Sequence, residues 1–200
     1  MPPINRDSSD SAEKAVSQPG ATPNHNAQPP TVDVSSLQLR ALAPAEAPMN
    51  LLLEADPSTA MIQTYLSDCL IWGAELQKDA KPTVMIGVCA IQMQSAQQAE
   101  LMNIAIEPAF QNQGLGSVFL QKIMETMKLQ GIRYLELGTG TFGHQLTFYQ
   151  RAGFRVIAVE PDYFLRHYPM PLFENGLQHK DRLRLRCELQ RHKLATVPTL

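Results

Sequence analysis

The 200-residue chain predicts an α/β fold of the α+β type: a mixed, mostly antiparallel central sheet with helices on both faces. Three observations carry that expectation. Apolar, β-rich runs at 70–76, 83–93 and 99–106 are joined by short polar connections, so they must be antiparallel neighbours. From 116 to 130 the pattern changes: Leu115, Phe119, Ile123 and Met127 recur every four residues, the apolar stripe of a helix that packs on a sheet. Strand-like and helix-like runs then alternate, as parallel crossovers require.

Taken in order, residues 1–36 contain no Leu, Phe, Trp or Tyr and hold six of the fifteen prolines. Such a stretch cannot bury enough apolar surface to offset its ordering entropy, so it reads as a disordered tail preceding one domain at 37–191. It lacks the apolar core of a signal peptide, and Asp7, Asp10 and Glu13 offset Arg6 and Lys14, unlike a transit peptide. Residues 36–43 alternate loosely as an edge strand. Residues 48–55 and 58–68 read as two short helices covering one face, with Pro57 between them and Ile62, Tyr65 and Leu66 at helical spacing. A polar hairpin connection at 77–82 links the first two apolar strands.

After the long helix, Gly131 supplies a stop, 132–137 a strand, 141–152 a short helix closed by Gly153, and 154–159 a further strand. Residues 161–180, with Pro169, Pro171 and Gly176 among aromatics, read as a long loop. From Arg182 to Leu189 the alternation is strict: Leu183, Leu185, Cys187 and Leu189 face inward and the arginines face outward.

The net charge of -2 argues against a protein built around nucleic acid or an anionic membrane. Three scattered cysteines, Cys69, Cys89 and Cys187, fit buried free thiols in a reducing, cytoplasmic setting. The five histidines show no metal-ligand spacing, so no metal is expected.

Two glycine loops compete for the chemistry. Gln111-Asn112-Gln113-Gly114-Leu115-Gly116 lies between a strand and a helix, where close-packed N–H groups and the helix dipole suit a phosphate. Gly138-Thr139-Gly140-Thr141-Phe142-Gly143 is a literal G-x-G-x-x-G, with Glu160 beyond the next strand, which raises an NAD-dependent oxidoreductase. Against that reading, the helix before Gly153 is short for a crossover, and too few residues follow to build the second half of a dinucleotide fold.

Here the residues resemble a known family. Gln111 to Gly116 matches the Q/R-x-x-G-x-G/A motif of the GNAT superfamily of acyl-CoA-dependent N-acetyltransferases, and Phe148-Tyr149-Gln150-Arg151-Ala152-Gly153-Phe154 matches its second signature. Leu137 to Gly140, with Arg166-His167-Tyr168 and Phe173 to Gly176, is similar to a YvbK-like branch. The resemblance implies acetyl-CoA as co-substrate and an amine as acceptor, a small molecule or a peptide. It further implies that a splayed strand at Ile104, Ala105 and Ile106 pairs with the pantetheine arm. The N–H groups of Gln111, Asn112, Gln113, Gly114, Leu115, Gly116 and Ser117 would hold the pyrophosphate, and Tyr149 would protonate the departing thiolate. An acyl-CoA-binding sensor without catalysis would keep the loop and dispense with Tyr149.

An alkyl ammonium of pKa about 10.4 is only about 0.04% neutral at pH 7, so a base is worth seeking. Glu136, alone in the apolar run 132–137, is the candidate, because desolvation would raise its pKa; His144 and Glu100 are alternatives. The acceptor pocket would be built from the two N-terminal helices and 161–180, whose Tyr163, His167, Tyr168 and Glu174 suit a polar amine.

Overall fold

The computed structural model describes residues 33–77 and 83–189. Nearly all of the stretch expected to be a tail, and the hairpin connection beyond Gln77, lie outside them. The described chain opens at Asp33, whose carboxylate accepts the Ser35 N–H at 2.9 Å and caps a 3-10 turn at Val34–Ser36.

Seven strands make one sheet: β1 (Leu37–Leu42), β2 (Cys69–Leu76), β3 (Val84–Met93), β4 (Gln98–Ile106), β5 (Tyr134–Gly140), β6 (Arg155–Glu160) and β9 (Arg182–Glu188). Their spatial order is β1-β2-β3-β4-β5-β9-β6. Every pairing is antiparallel except β4 with β5. The short β1-to-β4 connections force the antiparallel half, and the fifteen-residue α3 (Leu115–Leu129) supplies the parallel crossover.

Helices cover both faces. On one, α3 and α4 (His144–Arg151) pack over a core in which Phe119, Leu120, Ile123 and Met127 are fully buried, each contributing about 1.5–3 kcal/mol. On the other, α1 (Met49–Ala55) and α2 (Thr59–Tyr65) bury Leu51, Leu52, Ile62 and Tyr65 against Ile71, Val88, Ala90 and Ala105. Ser58 caps α2, its hydroxyl accepting the Met61 N–H at 3.2 Å. Gly131, at φ 88°, takes the left-handed position that ends α3, and the Ile132 N–H reaches back to the Met127 carbonyl.

The structure corrects three sequence expectations. Residues 161–180 are not a plain loop: they hold α5 (Tyr163–His167) and a hairpin of β7 (Phe173–Glu174) and β8 (Leu177–Gln178), turned by Asn175 and Gly176 at positive φ. The second crossover does not join neighbours, because β9 lies between β5 and β6. The β9 arginines are not a solvated face: Arg182, Arg184 and Arg186 pair with Glu160, with Glu100 and Glu136, and with Glu136.

Candidate active site

The parallel β4–β5 ladder runs only from Gln98–Tyr134 to Leu101–Leu137. Beyond Leu101 the strands diverge, while β4 stays paired to β3 up to Ile106. The β5-facing backbone groups at the C-terminal end of β4 therefore have no ladder partner. Into this opening points the N-terminus of α3. Gly114 caps it at φ 80° with no side-chain bond; the Ser117 N–H turns back to the Gly114 carbonyl at 3.1 Å, which leaves the Leu115 and Gly116 N–H groups available. The Gln111 side chain pins the loop by donating to the Ile106 carbonyl at 2.8 Å, and Asn112 bends it at φ 59°.

A cavity of about 350 Å³ fills the opening. Of the residues singled out in the sequence, Ile104, Ala105, Ile106, Gln111, Asn112, Gly116 and Tyr149 line it together. Gly116 matters by what it lacks. A Cβ there would meet only Ile106 and Phe148 at 3.9 Å, so the protein's own packing does not demand glycine, and the space belongs to the cavity. Ser117 and Asn112 face a second, larger groove of about 910 Å³ between α3 and α4. Gln113, whose amide bonds to the Ala109 carbonyl, and Gly114 line neither cavity, and Leu115 is buried in the core, so these three offer only main chain.

Tyr149 comes from α4. Its ring packs edge-on against Phe148 and Phe154, and burial raises its phenol above the ordinary range. It is thus a protonated hydroxyl on the cavity wall throughout neutral pH.

Glu136 does not fit the role of a base with a raised pKa. Burial does push its carboxyl up, but Arg184 at 2.8 Å and Arg186 at 2.7 Å donate to its two oxygens and outweigh burial, so it sits below the usual range. Its parallel partner across the ladder is Glu100, which takes both terminal nitrogens of the same Arg184. The apolar composition of its own strand concealed this, because both arginines arrive from β9.

Sequence reasoning missed Glu54, Ala55, Gln145 and Phe148 on the cavity wall, and Gln121, Met124, Lys128, Thr147 and Arg151 along the groove. A signal existed: Ser117, Gln121, Met124 and Lys128, and His144, Thr147 and Arg151, recur at three- and four-residue spacing beside the apolar stripes.

The second glycine loop has no room for a ligand. A Cβ at Gly138 would sit 2.5 Å from the Arg182 side chain, one at Gly140 would sit 2.5 Å from the His179 ring, and one at Gly143 would collide with the Glu174 carboxylate. Gly138 and Gly140 are strand residues, and the chain fills the space over all three glycines.

Comparison with known proteins agrees with this geometry. The family model described as an acetyltransferase (GNAT) domain matches residues 67–156. The uncharacterized N-acetyltransferase YvbK of Bacillus subtilis is 36% identical over 144 residues, 70% of this chain and 88% of that protein. An IAA acetyltransferase from Bacillus cereus superposes with a TM-score of 0.69 at 35% identity, covering 76% of this chain and 99% of that one. A GNAT family acetyltransferase from Elizabethkingia anophelis, solved with acetyl-CoA bound, gives 0.69 at 31% identity over 76% and 98%.

Proposed function

As a member of the GNAT acetyltransferase family, in its YvbK-like branch, the chain moves an acetyl group from acetyl-CoA to an amine, and we propose that the β4–β5 opening is where it does so. The observation that carries this is the convergence on one cavity of an unpaired β4 edge, a helix N-terminus with no side-chain cap and a partly buried tyrosine. The backbone from Ile104 to Ile106 receives the pantetheine arm, and the N–H groups of residues 112–116 receive the pyrophosphate, those of Gln111 and Ser117 being held by the Pro108 and Gly114 carbonyls. The groove between α3 and α4, with Lys128 and Arg151 on its walls, continues toward the nucleotide end. Two cations there suit its phosphates.

In the reaction the amine nitrogen bonds to the acetyl carbon, the carbon–sulfur bond breaks, and Tyr149 gives its proton to the departing thiolate. The proton the acceptor must lose has His144 and Glu54 as possible takers on the cavity wall. The acceptor, a small molecule or a peptide amine, approaches from the face covered by α1, α2 and the segment after β6. Three buried free cysteines support a reducing compartment, the cytoplasm, and no helix among the described residues is long and apolar enough to cross a membrane.

Tyr149→Phe tests the assignment. Loss of general-acid assistance should lower kcat by about 10² to 10⁴, while acetyl-CoA affinity, read by calorimetry, stays within about twofold. Equal losses in both would give Tyr149 a packing role instead.

A further inference from the structure

Two histidines and one glutamate meet where α4 begins. His144, the first residue of that helix, lines both the cavity and the groove. Its Nδ1 lies 3.5 Å from Glu174 Oε1, and the other oxygen, Oε2, lies 3.2 Å from His179 Nε2. Glu174 comes from β7 of the small hairpin, and its carboxylate sits so close over Gly143 that a Cβ there would collide with it. Glycine is thus what lets a side chain of the hairpin reach the start of α4. The further charged groups around His144 are Glu54 on the cavity wall and Glu125, Lys128, Arg151 and Glu188 along the groove.

The three groups are ordered from the inside outward. His179, with 13% of its side chain exposed, stacks on Phe142 at 4.2 Å and 3°. Its Nδ1 is buried with no partner, which fits a neutral ring that keeps its hydrogen on Nε2 and donates it to Glu174. A hydrogen on Nδ1 would instead be a buried donor with no acceptor, which costs free energy. Glu174 is thereby fixed from one side and offers its second oxygen to His144. A carboxylate can only accept, so in the neutral His144 ring the hydrogen lies on Nδ1 and the lone pair on Nε2. At 3.5 Å this contact is long, as orienting contacts are before a substrate closes the site. No hydrogen bond or ion pair among the described residues engages His144 Nε2, and with 84% of its side chain exposed the ring also meets solvent.

The other carboxylates near the opening lack this arrangement. Glu54 lines the same cavity from α1, but no ion pair among the described residues orients it, and Glu100 and Glu136 are held by Arg184 and Arg186. We propose that His144, through Nε2, is the base that takes the acceptor's protons, and that Glu174 is the residue that positions it. The proposal rests on the acetyl-transfer reading above and names the proton acceptor within it. Nε2 takes one proton from the acceptor's ammonium before attack and passes it to solvent from the exposed ring. It takes the second as the nitrogen bonds to the acetyl carbon and the carbon–sulfur bond breaks. CoA departs with the proton from Tyr149, and the second proton returns through water from His144 to Tyr149. Acetylamide, CoA thiol and one released proton balance the reaction.

The test measures thiol release from acetyl-CoA with putrescine, tyramine and a peptide bearing one free lysine, alongside acetyl-CoA affinity. At pH 7 His144→Gln should lower kcat about 100-fold, with acetyl-CoA affinity within twofold. Between pH 7 and pH 9.4 the neutral fraction of an alkylamine of pKa about 10.4 rises from about 0.04% to about 9%, so the variant's deficit should shrink at least tenfold. Free imidazole should restore part of the rate of His144→Ala. Glu174→Ala should lower kcat about tenfold with KM within twofold, and Glu174→Gln, which keeps an accepting oxygen, should recover part of that loss. Nitrogen NMR of the histidine rings at pH 8 reads the positioning without any acceptor: the His144 hydrogen should lie on Nδ1 in the wild type and shift toward Nε2 in Glu174→Ala. A deficit independent of pH, no rescue by imidazole, or a hydrogen on Nε2 in the wild type overturns the assignment and leaves the transfer reading standing. So does acetyl-CoA binding without turnover of any of the three amines. Failure of the wild-type chain to bind acetyl-CoA overturns the transfer reading and the base with it.

Discussion

Gln111 to Gly116 and Gly138 to Gly143 are both glycine-rich passages leading from one of the two parallel strands into a helix, and they do opposite things. Above Gly114 and Gly116 there is open space or ordinary contact. Above Gly138, Gly140 and Gly143 lie Arg182, His179 and Glu174, all supplied by the segment after β6. A glycine permits close approach, but what approaches can be a ligand or the protein itself. Motif spacing does not distinguish the two cases; the occupant does.

The largest expected effect comes from filling the empty loop. Gly116→Val places a branched side chain in the cavity without disturbing the core, and should weaken acetyl-CoA at least about 100-fold, or about 2.7 kcal/mol. Thermal shift checks it. Acetyl-CoA at about 100 times Kd should raise the wild-type midpoint by roughly 5–11 °C, and at the same concentration the variant should lose most of that shift. The ligand-free midpoints should nearly coincide. A shift produced by NAD and not by acetyl-CoA would reverse the contrast and make the second loop the ligand site.

A smaller effect is expected from the charges beneath the filled loop. Glu136→Gln leaves Arg184 with Glu100 alone and Arg186 with no carboxylate among the described residues, and should cost about 2 kcal/mol by urea unfolding at pH 7. The pH dependence has a fixed sign. Glu136 is held below its ordinary carboxyl range by the two arginines once they outweigh burial, so its contribution is fully present above the unfolded-state value of about 4.3 and is lost as pH falls through the folded one. The gap between wild type and variant should therefore narrow below about pH 4. Were Glu136 instead the base for the acceptor, the variant would lose kcat with little loss of stability.

How much of this could be read beforehand follows from where each determinant lies. Strand order from β1 to β4, the α3 stripe and the first glycine loop are local patterns, and the Leu115-Phe119-Ile123-Met127 repeat sufficed to orient a helix. Glu136 was misjudged because its environment is nonlocal: an apolar strand says that a lone carboxylate is desolvated, but not that two arginines some fifty residues away will meet it. The β9 alternation likewise separated its two faces correctly and then assigned the arginine face to solvent, since period 2 reports sides and not occupants. The Asn175-Gly176 turn of the small hairpin was legible as a dipeptide and went unread, because the prolines and aromatics around it pointed to irregular chain.

The smallest effect concerns the filled loop itself and tests the contrast most directly. Gly140 has no positive φ, so alanine there brings no backbone strain, only a methyl group 2.5 Å from the His179 ring. That ring has little freedom to retreat: it stacks on Phe142 at 4.2 Å and 3°, and its Nε2 lies 3.2 Å from Glu174. Overpacking of this kind costs about 1–2 kcal/mol, which should lower the midpoint by a few degrees. If the cost is the collision with His179, it should disappear in a His179→Ala background, giving a coupling of about 1 kcal/mol in a double-mutant cycle. Acetyl-CoA affinity per folded molecule should not change. A Gly140→Ala variant that is fully stable but binds acetyl-CoA weakly would show that the second loop also faces the ligand, and that its glycines serve more than the chain's own packing.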